Sequence, residues 1–228
     1  VRRYGFHGTS HRYVSARACE FLGLPYEKQR IITCHIGNGA SITAIKDGKS
    51  VDTSMGLTPT EGLMMGTRVG DVDPGAIVYM MEREGLDAAG VSKLINKRSG
   101  VAGVSEISSD MRDIEDAIER GEEKAILALD MYEYRILKYI GAYAAVLGGV
   151  DVIVFTGGVG ENQTSTRAKI CEQLAFMGVT FNAEANKVRG EEIEISGADS
   201  KTHVVVIPTD EELMIAEDTS AIVKELRK

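Results

Sequence analysis

Arg30-Ile31-Ile32-Thr33-Cys34-His35-Ile36-Gly37-Asn38-Gly39-Ala40-Ser41 reads as a buried strand that breaks on two glycines and turns straight into another. A compact apolar run closed by glycine is the pattern of a strand with little exposure on either face. Residues 40–45 then alternate apolar and small polar side chains. Lys46-Asp47-Gly48-Lys49 carries the Asp-Gly signal of a hairpin turn, and residues 50–54 return as a third strand. Three consecutive antiparallel strands therefore open the chain's first half. Before them, Ser10 is placed to cap a helix that runs through residues 19–22 and stops at Gly23 and Pro25.

Beyond the third strand comes a loop rich in Gly, Met, Pro and Thr over residues 55–74. Helical patterns follow at 75–84, 88–96, 111–120 and 122–147, with Asp110 as the N-cap of the third. The pattern then changes to an apolar strand at 150–155, a turn at 157–160 and a helix at 165–177. A buried strand at 203–207, closed by Pro208-Thr209, leads into a last helix at 211–225. Apolar strands alternating with helices imply parallel pairing through right-handed crossovers. The expected fold is α/β with the ribonuclease-H-like order of an actin-like ATPase domain. It should hold a mixed five-stranded sheet, flanking helices and a helical insertion. The expected organisation is a joining segment at 1–28, a nucleotide-binding domain at 29–210 and a C-terminal helix at 211–228.

Composition narrows the functional classes. A net charge of −8 argues against non-specific nucleic-acid binding, which needs a basic surface to displace counterions. The three cysteines, Cys19, Cys34 and Cys171, are dispersed and form no metal-ligand spacing, so each reads as a small buried apolar residue. No apolar run reaches membrane-spanning length and no secretory leader is visible, so the expected location is cytoplasmic. The chain opens at Val1 directly inside a dense motif and is expected to be part of a longer polypeptide.

Four segments carry candidate chemistry. In the opening stretch, Gly37 and Gly39 permit close approach of backbone N–H groups to an anion, although any hairpin could use such a turn. Phe155-Thr156-Gly157-Gly158-Val159-Gly160-Glu161-Asn162 repeats the device after a second buried strand, where α/β sheets place ligands. In Glu61-Gly62-Leu63-Met64-Met65-Gly66-Thr67-Arg68-Val69-Gly70-Asp71, the apolar residues should pack inward and carry Arg68 with them. Arginine suits bidentate contact with phosphoryl or carboxylate oxygens, but a solvated loop arginine fits the same sequence equally well. In Phe6-His7-Gly8-Thr9-Ser10-His11, a histidine could donate a hydrogen bond to developing phosphoryl charge. For His11, a plain polar role in the first helical turn reads better than a functional one. Glu211 begins the last helix, where an acidic residue favours the helix dipole, yet it also follows a buried strand and could hold Mg²⁺.

Together these segments resemble the acetate kinase family, of the acetate and sugar kinase, heat-shock chaperone and actin superfamily. FHGTSH at 6–11, CHIGNGASI at 34–42 and DTSMGLTPTEGLMMGTRVGDVDP at 52–74 carry the resemblance in the first half. SSDMRD at 108–113, FTGGVGEN at 155–162 and IPTDEELMIAEDT at 207–219 continue it, so that it covers nearly the whole chain. The resemblance implies reversible, direct in-line transfer of the γ-phosphoryl of ATP to acetate with Mg²⁺. It implies that His7 and Arg68, helped by Asn38, stabilise the phosphoryl group, and that Glu211 holds the metal. It assigns the nucleotide to His35, Ile36, Gly37, Asn38 and Gly39, to Asp110, Met111 and Arg112, and to Gly158, Val159, Gly160, Glu161 and Asn162. Phe6 and Pro59 would wall the acetate pocket.

Asp210 stands where family members usually have asparagine, which bears on metal affinity. The family also has a preceding domain of similar fold that supplies further catalytic groups. The chain is accordingly expected to be the C-terminal, nucleotide-binding part, with its last helix returning toward that domain, and weakly active or inactive by itself. Family resemblance further implies a homodimer. The alternatives are a propionate or butyrate kinase, since one methylene discriminates by only ~1–3 kcal/mol, and an actin-like nucleotide-binding module without chemistry.

Overall fold

The computed structural model describes residues 1–227; Lys228, the end of the expected C-terminal segment, lies outside the described residues. The opening helix α1 is Gly8–Leu22, followed by the hairpin strands β1 (Arg30–Ile36), β2 (Ala40–Lys46) and β3 (Lys49–Thr53). The helical insertion comprises α2 (Pro74–Glu84), α3 (Ala88–Lys97), α4 (Gly100–Ser105) and α5 (Met111–Glu119), and leads into the long α6 (Glu123–Leu147). The second half contains β4 (Val152–Thr156), α7 (Gly157–Asn162), α8 (Thr164–Glu172), β5 (Ile193–Glu194), β6 (His203–Val206) and α9 (Glu211–Leu226).

One mixed sheet runs in the order β3-β2-β1-β4-β6-β5. β1 pairs antiparallel with β2 and parallel with β4, and β4 pairs parallel with β6. This is the ribonuclease-H-like arrangement read from the sequence. It places the C-terminal ends of β1, β4 and β6 on one edge, and with them the glycine segments at 37–39 and 157–160.

Alternation along the strands divides the core. Ile32, Cys34, Ile36, Ile42, Ala44, Ile153 and Phe155 pack with Tyr132, Ile136 and Ile140 of α6. Ile31, Ile45, Val152, Val154, Val205 and Ile207 face Val14, Ala18 and Cys19 of α1. Both clusters are closed to solvent, and Cys19, Cys34 and Cys171 are all buried and free.

Four local expectations need correction. The sheet has six strands, because Ile193–Glu194 pairs antiparallel with Val205 and Val206 on the outer edge; two residues are too few to display a period. Ser10 does not cap α1: it lies inside the first turn, and His7 occupies the N-cap in the left-handed region at φ 57 and ψ 26 without a side-chain cap bond. The glycine run after β4 is a short helix, α7, rather than a turn. The expected helix over 165–177 breaks into α8 and a single 3₁₀ turn, Ala175–Met177. α4 was not expected, since Gly-Val-Ala-Gly-Val-Ser has poor helix propensity and no polar face. Asp110 does cap α5, its carboxylate accepting from Arg112 N at 3.0 Å.

Candidate active site

A two-residue period assembles the first half of the site. On β1, Ile31, Thr33 and His35 share the face toward α1, and their antiparallel partners on β2 are Ile45, Thr43 and Ser41. The face is therefore apolar at one end and polar at the glycine edge. Helical spacing does the rest: His7, Ser10, His11 and Val14 lie on one side of α1. His11 reaches Thr33 Oγ1 through Nδ1 at 2.7 Å and Ser41 Oγ through Nε2 at 2.7 Å. His7 Nδ1 meets the same Ser41 oxygen at 2.8 Å. Ser10 Oγ lies 2.8 Å from His35 Nδ1 and accepts from Thr209 Oγ1 at 2.8 Å.

The three rings form one cluster. His7 stacks on His35 with centroids 4.0 Å apart and planes 17° apart, and His11 stands 6.2 Å from His35. Burial, followed by the neighbouring imidazoles, lowers His11 to about 3. Burial and then His7 lower His35 to about 4. His7 is also lowered, first by burial and then by the charge of Arg68. All three are thus neutral donors and acceptors at physiological pH.

Arg68 approaches from the loop before α2. Its Nη1 donates to the Pro59 carbonyl at 3.1 Å, and it has no carboxylate partner among the described residues. A Cβ placed on Gly39 would lie 3.1 Å from Arg68 Nη1 and 3.7 Å from both Cε1 and Nε2 of His7. Gly39 thus marks the place where guanidinium and imidazole converge, and any larger residue there would fill it. The neighbouring Asn38 turns toward the 55–74 loop, its Oδ1 occupying the space that a Cβ on Gly66 would need.

Beyond Asn38 opens a cavity of about 530 Å³, lined by three of the expected segments: Gly37 and Asn38, Asp110 to Arg112, and Gly158, Val159 and Asn162. The two glycine loops nearly touch, with a Cβ on Gly37 lying 3.9 Å from Gly158 N. Asp110 pairs with Arg112 through bonds of 3.0 and 2.5 Å, and the hydrogen bonds from Arg112 hold its carboxyl down at about 2.

Geometry and sequence together admit a decisive comparison. The sequence model of the Acetokinase family matches residues 1–217. The chain belongs to the acetokinase family. It is 68% identical over 225 residues to an acetate kinase of Porphyromonas gingivalis, covering 98% of this chain and 56% of that protein. The crystal structure of Porphyromonas gingivalis acetate kinase superposes with a TM-score of 0.96 at 67% identity, covering 98% of this chain and 56% of that one. A propionate kinase from Francisella tularensis superposes at 0.87 with 41% identity, covering 95% and 55%. The chain spans about half the length of the curated relatives it matches.

The remaining expected residues are placed less uniformly. His35, Ile36, Gly39, Gly160 and Glu161 do not line the cavity. Glu161 is engaged within the protein: its Oε1 accepts from Gly157 N at 2.8 Å, Thr209 N at 3.2 Å and Thr156 Oγ1 at 3.3 Å, tying the end of β4 to the end of β6. Phe6 borders a second cavity of about 380 Å³ with Tyr4, His11 and Tyr26, whereas Pro59 lies beside Arg68 in a shallow groove. The described residues therefore do not bring Phe6 and Pro59 onto one wall. Glu211 is the first residue of α9, and Asp210 before it accepts from Leu213 N at 2.9 Å as the helix cap. Among the described residues no group of three or more His, Cys, Asp or Glu could hold a metal by itself. One carboxylate in the first turn of a helix fits a Mg²⁺ that arrives on phosphate and keeps its waters.

Sequence reasoning missed Ser109, Glu115, Gln163 and Arg189, which also line the large cavity. Gln163 is 5% exposed and neither its carboxamide N nor its O has a protein partner. The backbone leading to Arg189 is held by the fully buried Arg167. That side chain donates to the carbonyls of Gly160, Glu161, Asn186 and Val188 and to Asn186 Oδ1, at 2.8–2.9 Å. A buried arginine inside a helix that opens beside a glycine loop was the available signal.

Proposed function

We propose that the protein containing this chain is an acetate kinase, moving the γ-phosphoryl group of ATP to acetate and back. The observation that carries the reading is the convergence of His7 Nε2 and Arg68 Nη1 around Gly39, beside a cavity bounded by both glycine loops. In the forward step an acetate oxygen attacks the γ-phosphorus in line, the bond to the β-phosphate oxygen breaks, and ADP leaves with that oxygen. Such a transfer needs little covalent help and much electrostatic positioning. Arg68 offers fixed charge to the equatorial oxygens, His7 a neutral N–H and Asn38 a carboxamide. Gly37, Asn38, Gly158, Val159 and Asn162 would cradle the phosphates from the cavity wall, with His35, Ile36, Gly39, Gly160 and Glu161 flanking them in the two loops, and Asp110, Met111 and Arg112 would border the base and sugar. Glu211 would hold Mg²⁺, which supplies charge neutralisation on the phosphates.

The relatives are nearly twice as long, so the complete acyl pocket is proposed to include residues outside this chain. That accords with Phe6 and Pro59 standing apart here. The likeness to a propionate kinase keeps propionate as the second acceptor to be tested. We further assign the protein to the cytoplasm; among the described residues no helix is long and apolar enough to cross a membrane. Ile126, Leu127, Met131, Tyr134 and Val146 leave an exposed apolar side on α6, which supports a homodimer through this region. The test is hydroxylamine trapping of acyl phosphate by the full-length protein with acetate, propionate and butyrate. Efficient trapping with acetate is expected, and no trapping with any of the three would overturn the assignment.

A further inference from the structure

Thr33, His11, Ser41 and His7 form a continuous line of hydrogen bonds that ends on the imidazole beside Arg68. Its links are Thr33 Oγ1 with His11 Nδ1 at 2.7 Å, His11 Nε2 with Ser41 Oγ at 2.7 Å, and Ser41 Oγ with His7 Nδ1 at 2.8 Å. A hydroxyl has one hydrogen and a neutral imidazole one N–H. The line can therefore be satisfied in only two ways. In the first, Thr33 donates to His11 Nδ1, His11 donates from Nε2 to Ser41, and Ser41 donates to His7 Nδ1. His7 must then carry its own proton on Nε2. In the second, every donor is reversed, His7 Nε2 is bare, and the Thr33 hydroxyl hydrogen is left over.

Thr33 decides between them. It is fully buried, and its Oγ1 has no hydrogen-bond partner besides His11 among the described residues. Leaving a buried O–H without an acceptor costs ~1–3 kcal/mol, whereas the first arrangement leaves only a hydroxyl lone pair unused. We infer that Thr33, His11 and Ser41 are positioning residues that hold His7 in its Nε2–H tautomer, presenting that N–H toward the space shared with Arg68. The use made of this N–H rests on the phosphoryl-transfer reading; its existence does not.

Two further observations agree. The count requires neutral rings, and burial keeps His11 and His35 uncharged. A shorter line treats His35 alike: Thr209 donates to Ser10, which leaves the Ser10 hydrogen for His35 Nδ1 and a proton on His35 Nε2. Two stacked rings thus carry their N–H groups on the same nitrogen. A donor whose tautomer is fixed beforehand needs no reorganisation as charge develops on the group it faces.

The test is long-range ¹H–¹⁵N correlation of the imidazoles in ¹⁵N-labelled full-length protein at neutral pH, with His7 identified by the signals lost in His7→Asn. His7 and His11 should each show a protonated Nε2 and an unprotonated Nδ1. A His7 protonated on Nδ1 would overturn the inference without any variant being needed. Ser41→Ala should abolish the single-tautomer pattern of His7. It should also lower kcat on the order of tenfold to hundredfold, with the nucleotide KM unchanged. Unaltered His7 nitrogen shifts in that variant would equally sink the inference. Thr33→Val, which keeps the shape of the side chain, should release His11 and reduce kcat less than Ser41→Ala does. If the wild-type protein forms no acyl phosphate, the kinase reading falls while the nitrogen shifts still decide the relay.

Discussion

The histidine cluster and the large cavity lie on one sheet edge yet are built in opposite ways. In the cluster, the hydroxyls of Ser10, Thr33 and Ser41 and both nitrogens of His11 are all matched within the protein. In the cavity, Gln163 is buried with its amide nitrogen and oxygen both unmatched, and the walls come from segments far apart in sequence. A group that must meet a developing charge gains from being fixed in advance. A surface that must hold a ligand and release it can leave bonds unmade until the ligand arrives. On the proposed function, the contrast separates the part that would perform the chemistry from the part that would bind.

It can be broken first at Arg68. Arg68→Ala in the full-length protein should lower kcat on the order of 10³-fold, with little change in the KM for ATP. A variant whose loss appears mainly in KM would move Arg68 to the binding side. Acid tests the cluster next. His11 and His35 titrate near 3 and 4 in the fold against 6.5 when free, so the unfolded chain binds more protons between those values. Their contribution to stability is complete above pH 6.5 and drains as pH falls toward 4, at up to about 1.4 kcal/mol per pH unit for each ring. The melting temperature should fall over that range, and less steeply in His11→Asn. Equal slopes would mean that the cluster is not the acid-sensitive element.

The cavity is tested by Gln163→Leu, which should weaken Mg-ADP binding about tenfold in calorimetry if a ligand satisfies the carboxamide. Binding at full strength would show that Gln163 is a wall without a bond to make. The smallest effect belongs to Asp110→Ala, which removes the cap of α5 and should cost about 1 kcal/mol of stability by chemical denaturation. No loss would show that neither the cap nor the Arg112 pairing contributes to stability.

How much of this was legible in the sequence follows the range of the interactions. β1, β2 and the glycine loops were visible because their signals are local: an apolar run, then a residue without a side chain. His7 and Arg68 were visible as residue types in motifs, but their meeting at Gly39 was not. It depends on α1, β2 and the 55–74 loop arriving together. His11 read as an ordinary polar residue because its partners, Thr33 and Ser41, become neighbours only through the β1–β2 register. Gln163 gave no signal, since nothing in a linear sequence marks an amide that will lack partners, and Arg189 was hinted at only indirectly, by Arg167 in the helix after the glycine loop. β5 failed for a simpler reason: a two-residue strand is defined by its neighbour and not by itself.

The backbone of His7 has a consequence of its own. Its φ of 57 is a conformation that glycine adopts freely and other residues only at a cost of about 1–2 kcal/mol. No side-chain cap bond offsets it at the start of α1. The residue that carries the donor is one the local backbone would not select. On the proposed function, a sturdier fold and a faster reaction would therefore make opposite demands on position 7, and histidine there meets the second.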